Sequence, residues 1–550
     1  MTKVTTAAGE LARLRSITMW QAVTASAMHD LDRDALVGAN DAGLIRRLTY
    51  GELVERVRNL SAGLASIGVK RGDRVALWMT NTLEWVVSAF ATMRLGAALV
   101  PVNTFLTPPE IKYCLVQSGA RHLIMIDGFR ALNMPNMLCE ICPEVATAKT
   151  PGDLWGHELP DLRNIVLFRR GGGRLACAFD FETLARTEAR EAHEIAERME
   201  REVRSTDLAM VKYTSGSTGF PKGVMLEQGG IVANGILHSR RIGAVQSDIY
   251  FSMMPFFHAG GSVYGLMTML LNGGTLIFTE AFNAALATEL IARERPTFVF
   301  GVLGEEVVRA AVEKGVKFPS VRMAATPDDS SRAVYPNATF CFSAFGLTET
   351  YGPAAITCVT DPPEKRGTSG RLMDGNECRV VDPVTGRDVG PGVPGEAYLR
   401  GNVTKGYWNM PEQTARLIDK DGWLRSEDII SVDRDGYITF VGRLKLMLKV
   451  GGENVSLEEV ERVVAGHDAV ASCGAVGVPD KRKNEAVRVY VSLLPGQTLT
   501  EQELSAWLTS RLARFKMPRD IVFMEALPRL ANGKLDRMSL AEMAKDEVAA

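Results

Sequence analysis

The sequence predicts an α/β protein: a large N-terminal domain of parallel α/β sheets with a small β-barrel or sheet subdomain, then a small α+β C-terminal domain. Three observations point there. From Leu48 to about Leu347, short β-rich runs alternate with longer amphipathic ones, the pitch at which helices cover parallel sheets. After about Gly352, turn signals crowd in around short strands, and from about Leu446 a last section carries an apolar pattern of its own. The length, 550 residues, suits about three or four folding units.

In the first section, Glu52–Ile67 and Glu84–Leu95 read as helices. Val75–Trp78, Ala98–Val102 and His122–Ile126 are apolar runs of strand length. Periodicity is lost between Glu140 and Thr187, where Gly171, Gly172 and Gly173 mark an exposed loop. The alternation then resumes with strands at Leu208–Thr214, Ile249–Met254, Thr275–Thr279, Thr297–Val302 and Thr339–Phe342. Helices at Ala284–Arg295 and Glu305–Lys314 lie between them. In the second section, Asp361-Pro362-Pro363, Asp382-Pro383 and Gly390-Pro391-Gly392 bound strands such as Cys378–Val381 and Glu396–Arg400. The last section combines helices at Leu457–Ala465 and Glu501–Ala513 with strands at Ala469–Val478 and Ala486–Leu494.

Composition excludes several classes. With 46% hydrophobic and 23% charged residues, the chain has enough apolar surface to offset chain entropy, so disorder is excluded for most of it. A net charge of −2 provides no basic field for nucleic acid or a membrane surface. Eight cysteines in 550 residues make no disulfide framework. Cys139 and Cys142 form one C-x-x-C with no second pair, and read as ordinary helix-face cysteines. Met1 to Trp20 lacks the apolar core of a signal peptide. Ile249 to Thr279 is free of formal charge, but Pro255, His258, Asn272 and five glycines would break a spanning helix, so strand–loop–helix–strand is the expectation. A soluble, cytoplasmic protein without a membrane span is expected; a homodimer is left open.

The most informative stretch is Tyr213-Thr-Ser-Gly-Ser-Thr-Gly-Phe-Pro-Lys-Gly-Val224, after a strand and before a polar, then helical, segment. Gly216, Gly219 and Gly223 let backbone N–H groups turn toward an anion, and Thr214, Ser215, Ser217 and Thr218 add hydroxyl donors. Lys222 supplies the compensating charge. Pro221 stands where a Walker A loop needs glycine, so this phosphate loop is of another kind. Tyr213–Val224 resembles the signature of the adenylate-forming superfamily of acyl-CoA synthetases, peptide-synthetase adenylation domains and luciferases. The resemblance runs from Leu48-Thr-Tyr-Gly-Glu-Leu53 to Pro528-Arg-Leu-Ala-Asn-Gly-Lys534.

The resemblance implies a role for each further motif. Phe345-Gly346-Leu347-Thr348-Glu349 offers a flat ring for a purine, a hydroxyl for a phosphate and, in Glu349, a hard oxygen for Mg²⁺. Asp428, in Gly422-Trp-Leu-Arg-Ser-Glu-Asp428, would accept from both ribose hydroxyls, although Glu427 stands where relatives carry glycine. Arg443 would be a second ribose or phosphate contact, and Lys445 the hinge. Lys449, Gly451, Gly452 and Glu453 would form the loop that admits a pantetheine arm. Lys534 would meet the reacting carboxylate and α-phosphate. His258, Gly260, Val263, Gly301 and Val302 would line the acyl pocket, and Ala324, Ala325 and Thr326 would flank adenine, ahead of a shortened helix.

The implied enzyme takes ATP, Mg²⁺ and coenzyme A and converts a carboxylic acid through an acyl-adenylate to a thioester, with Thr214, Lys222, Glu349 and Lys534 carrying the first step. Residues 1–444 would form the N-terminal domain, with the β-rich subdomain at about 352–444, and 445–550 a mobile C-terminal domain. Only 16 residues follow Lys534 and none is a carrier domain, so free coenzyme A is the expected thiol and a fatty or bulky hydrophobic acid the expected substrate. An adenylation enzyme loading a separate carrier, a luciferase-like oxidase and a catalytically weakened nucleotide-binding regulator are the alternatives.

Overall fold

A computed structural model describes all residues except 1, 2, 6, 7, 172, 215–220, 301–303, 325–328, 341, 342, 451, 452, 481–483, 510, 513–515, 531, 532 and 550. Two seven-stranded sheets dominate. The first has the order Ala178–Asp180, Asn164–Phe168, His122–Ile126, Arg74–Trp78, Ala98–Pro101, Leu208–Thr214, Lys222–Glu227, parallel except for its last pair. The second runs Thr339–Phe340, Met323–Ala324, Phe298–Phe300, Ile249–Ser252, Thr275–Thr279, Asp34–Ala39, Ile45–Thr49, again parallel but for one edge hairpin. The parallel strands are apolar runs buried on both faces, as His-Leu-Ile-Met-Ile and Thr-Leu-Ile-Phe-Thr show. Helices cover them: Tyr50–Ser66 is opened by a capping box from Thr49 to Glu52, and Leu83–Arg94 by Thr82.

Strand order locates ligand sites. In the second sheet the chain passes from Ile249–Ser252 to Thr275–Thr279 on one side, then returns to Phe298–Phe300 on the other. The crevice beyond the carboxyl ends of Ile249–Ser252 and Phe298–Phe300 is therefore a topological switch point, and His258 follows the first of these strands. The first sheet reverses likewise between Arg74–Trp78 and His122–Ile126. Cavities of about 400 and 320 Å³ open there, lined among others by Asp127, Arg130 and Arg170 and by Asn81 and Glu84.

Beyond Gly352 the expected barrel or sheet subdomain is a pair of antiparallel sheets. The five-stranded one contains Glu377–Val381, Gly395–Arg400, Leu424–Val432 and Ile438–Arg443, with Lys3–Thr5 on its edge. The three-stranded one contains Ala344–Leu347, Gly352–Ile356 and Arg371–Leu372. The last section has its own sheet, built on the long pairing of Val470–Asp480 with Asn484–Leu493, and its own apolar core around Val455, Val460, Val489 and Leu504.

Two expectations change. The aperiodic stretch after Glu140 holds the buried strand Asn164–Phe168, whose five residues are too few to show a period. The phosphate loop is followed by the strand Lys222–Glu227, not directly by the helix Gln228–Arg241. The charge-free stretch after Ile249 forms a strand, a π-helix at Gly260–Met267, a short α-helix and a strand. No helix among the described residues is long and apolar enough to cross a membrane. Cys139 and Cys142 lie at the end of the helix Met134–Ile141 with their thiols raised by burial, and no metal-holding group of His, Cys, Asp or Glu occurs among the described residues.

Candidate active site

The phosphate loop is the connection of a β-hairpin. Leu208–Thr214 and Lys222–Glu227 pair antiparallel with Thr214 opposite Lys222, so the chain between them starts and ends on two of the expected site residues. Ser215, Gly216, Ser217, Thr218 and Gly219 lie outside the described residues. The hairpin base is fixed from below: Tyr213 donates its hydroxyl to Gln117 Oε1 (2.5 Å), and Tyr113 donates to the carbonyl of Pro221 (3.0 Å). Because the strand Lys222–Glu227 and not a helix follows, the loop does not itself open a helix, and Lys222 offers charge from a side chain. Lys222 Nζ lies 5.1 Å from the Tyr407 ring centre.

Tyr407 links Lys222 to Glu349. Its hydroxyl donates to Glu349 Oε1 (2.8 Å), while the backbone N–H of Thr404 donates to the Glu349 carbonyl (2.7 Å). Burial raises the Glu349 carboxyl above its usual range, and Tyr407, Lys222 and Arg443 pull it back. Sequence reading missed Tyr407, whose only signal was an aromatic pair, Tyr407-Trp408, after Gly406. Gly346 has a steric reason to be glycine, since a Cβ there would sit 2.1 Å from the carbonyl of Gly352. Thr348 opens the 3₁₀ turn that carries Glu349. Phe345 is 4% exposed and packs with Ala354, Ala355 and Leu372, so the ring face expected for a purine is covered in this structure.

Asp428 and Arg443 are directly opposite in an antiparallel pair, which explains how two motifs fifteen residues apart meet; Arg443 Nε is 3.4 Å from Asp428 Oδ1. A bulge aims Asp428. Tyr398 faces Arg425 and Glu396 faces Ile429, so Ser426, Glu427 and Asp428 together oppose Ala397. Ser426 Oγ holds the bulge by donating to the Ala397 carbonyl (2.8 Å) and accepting from the Asp428 N–H (3.1 Å). Glu427, where the resemblance implied glycine, has φ +58°. The backbone thus keeps the left-handed geometry and bears its strain. Glu427→Gly is expected to raise stability by about 1 kcal/mol and to leave the ATP KM unchanged; thermal unfolding with steady-state kinetics checks both. Burial pushes the Asp428 carboxyl up to about 6, against the opposing charge of Arg443.

His258 lies at the switch point of the second sheet, just before the π-helix Gly260–Met267. Asn81 clamps the approach to it, accepting from the Phe256 N–H (2.8 Å) and donating to the Met254 carbonyl (3.0 Å). Gly261 allows the loop to close, as a Cβ would meet the Pro255 carbonyl at 2.2 Å. Val263 is fully buried and belongs to the wall's core. Gly301 and Val302, expected opposite, lie outside the described residues, as do Ala325 and Thr326; Ala324 is buried at a strand end. The His258 imidazole is pushed down to about 4, by burial first and then by the charges of Lys212 and Lys534. It is neutral at pH 7. Lys534, on the turn closed by Gly533 (φ +80°), thus brings its charge to His258 from the C-terminal section.

The expected pantetheine loop joins Met447–Val450 to Glu453–Ser456, which form a hairpin; Gly451 and Gly452 lie outside the described residues, and the side chains of Lys445, Lys449 and Glu453 are not described. Ser456 caps the helix Leu457–Ala465 and donates to the Val441 carbonyl (3.2 Å), an approach open because Gly442 has no side chain. Two groups from widely separated motifs are thus brought together: Lys222, Glu349, Asp428 and Arg443 interact with one another, and His258 feels the charges of Lys212 and Lys534.

Comparison with known proteins settles the family. The AMP-binding enzyme profile matches residues 23–408, and that of the AMP-binding enzyme C-terminal domain matches residues 459–534. The chain belongs to the AMP-binding enzyme family. Its expected place in the acyl-CoA synthetase branch of the adenylate-forming enzymes holds. The mitochondrial medium-chain acyl-CoA ligase ACSF2 of Mus musculus is 31% identical over 546 residues, covering 96% of this chain and 88% of that one. ATP-bound MatB from Rhodopseudomonas palustris superposes with a TM-score of 0.78 at 25% identity, covering 96% and 99%. The anthranilate CoA ligase AuaEII, in complex with anthranoyl-AMP, shares the fold with a TM-score of 0.80 at 24% identity, covering 97% and 98%. This AMP-binding enzyme has the mixed α/β architecture of those ligases, a large N-terminal domain and a smaller C-terminal one.

Proposed function

We propose that this AMP-binding enzyme is an ATP-dependent acyl-CoA synthetase that activates a fatty or bulky hydrophobic carboxylic acid. The observation that carries this reading is the group of Lys222, Glu349, Asp428 and Arg443, drawn together from separate motifs, while the charge of Lys534, from the C-terminal section, reaches His258. A carboxylate is a poor electrophile and needs a leaving group. In the first step its oxygen attacks the α-phosphate of ATP; the bond to the β-phosphate breaks and pyrophosphate leaves. Neutral His258 and cationic Lys534 hold the acid, Asp428 and Arg443 hold the ribose, and the phosphate loop with Lys222 takes the triphosphate. The Glu349 carboxylate is a hard oxygen donor that burial leaves short of counter-charge, so it would suit a Mg²⁺ ion whose other ligands would be water and phosphate. Bound there, the ion would neutralise phosphate charge.

In the second step the thiol of coenzyme A attacks the acyl carbon and AMP leaves. The 445–550 section turns about Lys445, withdraws Lys534 and presents Lys449, Gly451, Gly452 and Glu453 to the pantetheine arm. The hydrophobic acid is supported by the apolar side chains of Phe257 and Val263 on either side of His258 in sequence and by the relative named as a medium-chain ligase. A panel of fatty, aryl and short dicarboxylic acids, scored by pyrophosphate release with coenzyme A present, tests the substrate. The highest kcat/KM is expected for a medium or long fatty acid or a bulky alicyclic acid; a preference for a short dicarboxylic acid would overturn this assignment.

A further inference from the structure

Among the described residues, Lys212 is the one fully enclosed lysine, and the proposed steps leave it unused. It lies in the strand Leu208–Thr214, two residues before Thr214, so both side chains project from the same strand face. Its side chain is 2% exposed, and Nζ donates to the carbonyls of Phe257 (2.9 Å) and Phe256 (3.3 Å), the residues that lead into His258. An ammonium has three N–H donors, and two are used. Among the described residues, no carboxylate pairs with it. Burying an ammonium without a counter-charge is costly, and burial alone pushes Lys212 down to about 7. Its charge also reaches His258, where it opposes protonation alongside Lys534.

A buried cation of this kind, held between the start of the phosphate loop and the acid-binding histidine, calls for an anionic ligand. Resting on the acyl-CoA synthetase reading, we propose that Lys212 is a fixed contact for the carboxylate of the substrate acid, distinct from the mobile Lys534. Lys534 belongs to the section that turns away between half-reactions. Lys212 belongs to the penultimate strand of the first sheet, paired on both sides, and stays. It therefore holds the acid beside His258 before Lys534 engages. A ligand carboxylate supplies the counter-charge that the described residues do not, and selects the ionised acid over neutral analogues of the same shape.

Two variants separate charge from scaffolding. Lys212→Gln keeps an amide that donates to both carbonyls, and Lys212→Met keeps the apolar stem and removes the buried charge. In whichever folds, the KM for the acid is expected to rise about 10–100-fold, with the ATP KM within about 2-fold of wild type. Inhibition by the primary alcohol of the same chain length should be unchanged. An unchanged acid KM in a folded variant would overturn the Lys212 assignment while leaving the synthetase reading intact. Equal weakening of acid and alcohol would also overturn it, by making Lys212 a support of the loop only. If wild-type protein released no pyrophosphate with any acid, the synthetase reading itself would fail.

Discussion

Lys534→Ala is expected to slow formation of the acyl-adenylate by about 10²–10³-fold, the usual cost of removing one preorganised charge-stabilising group. The structure supplies the reason. Lys534 stands on a tight turn held by hydrogen bonds between Leu530 and the backbone of Gly533 and Lys534, and its charge already bears on His258. The effect should be confined to the first half-reaction. Thioester formation from supplied acyl-adenylate and coenzyme A should stay within about 3-fold of wild type, because the lysine has then withdrawn. Rapid-quench measurement of each half-reaction reads the two rates separately. Equal losses in both would mean that Lys534 serves throughout and that the two steps share one arrangement. The substitution should cost little stability, since Lys534 is exposed.

Asp428→Asn is expected to weaken ATP binding by about 10–100-fold while making the ligand-free protein more stable at pH 7. Both effects come from one cause. Asp428 is 4% exposed, and burial raises its carboxyl from 3.8 to about 6, with Arg443 only partly offsetting this. For an acid raised on folding, the protonated form is favoured in the native state. Stability from this group is fully present below about pH 4 and is lost as pH rises through about 6. Asparagine removes that loss, on the order of 1–3 kcal/mol at pH 7, but accepts from the ribose hydroxyls without charge assistance. The wild-type ATP KM should rise as pH falls below about 6, and that rise should be absent in the variant. Thermal melts and pH-dependent kinetics on the two proteins decide it; a destabilised variant with unchanged ATP KM would remove Asp428 from the nucleotide site.

What the sequence disclosed, and what it did not, follows physical lines. Strands such as His122–Ile126 and Thr275–Thr279 were legible to the residue because continuous apolar runs bounded by turns admit few other readings. Motif residues were legible because the chemistry fixes residue type: Asp428 for a diol, Lys222 for phosphate. The geometry that joins them was not. Nothing in the spacing shows that Asp428 and Arg443 are cross-strand neighbours, or that a bulge at Ser426 to Asp428 survives without its glycine. Tyr407, Asn81 and Lys212 were missed for a related reason. Each acts by a hydrogen bond across a long sequence separation, such as Tyr407 to Glu349 or Lys212 to Phe257, and leaves no local pattern. Phe345 shows the converse, a residue whose aromatic type suggested a stacking face while its place in an alternating strand turned the ring inward.

The central claim is that the acid is activated as an adenylate before any thiol is engaged. The most direct measurement is exchange of labelled pyrophosphate into ATP by the wild-type enzyme, with the preferred acid present and coenzyme A absent. The account predicts exchange that depends strictly on the acid, with about one equivalent of acyl-adenylate retained per enzyme and AMP released only when coenzyme A is added. Exchange that requires coenzyme A, or formation of ADP and phosphate in place of AMP and pyrophosphate, would contradict it.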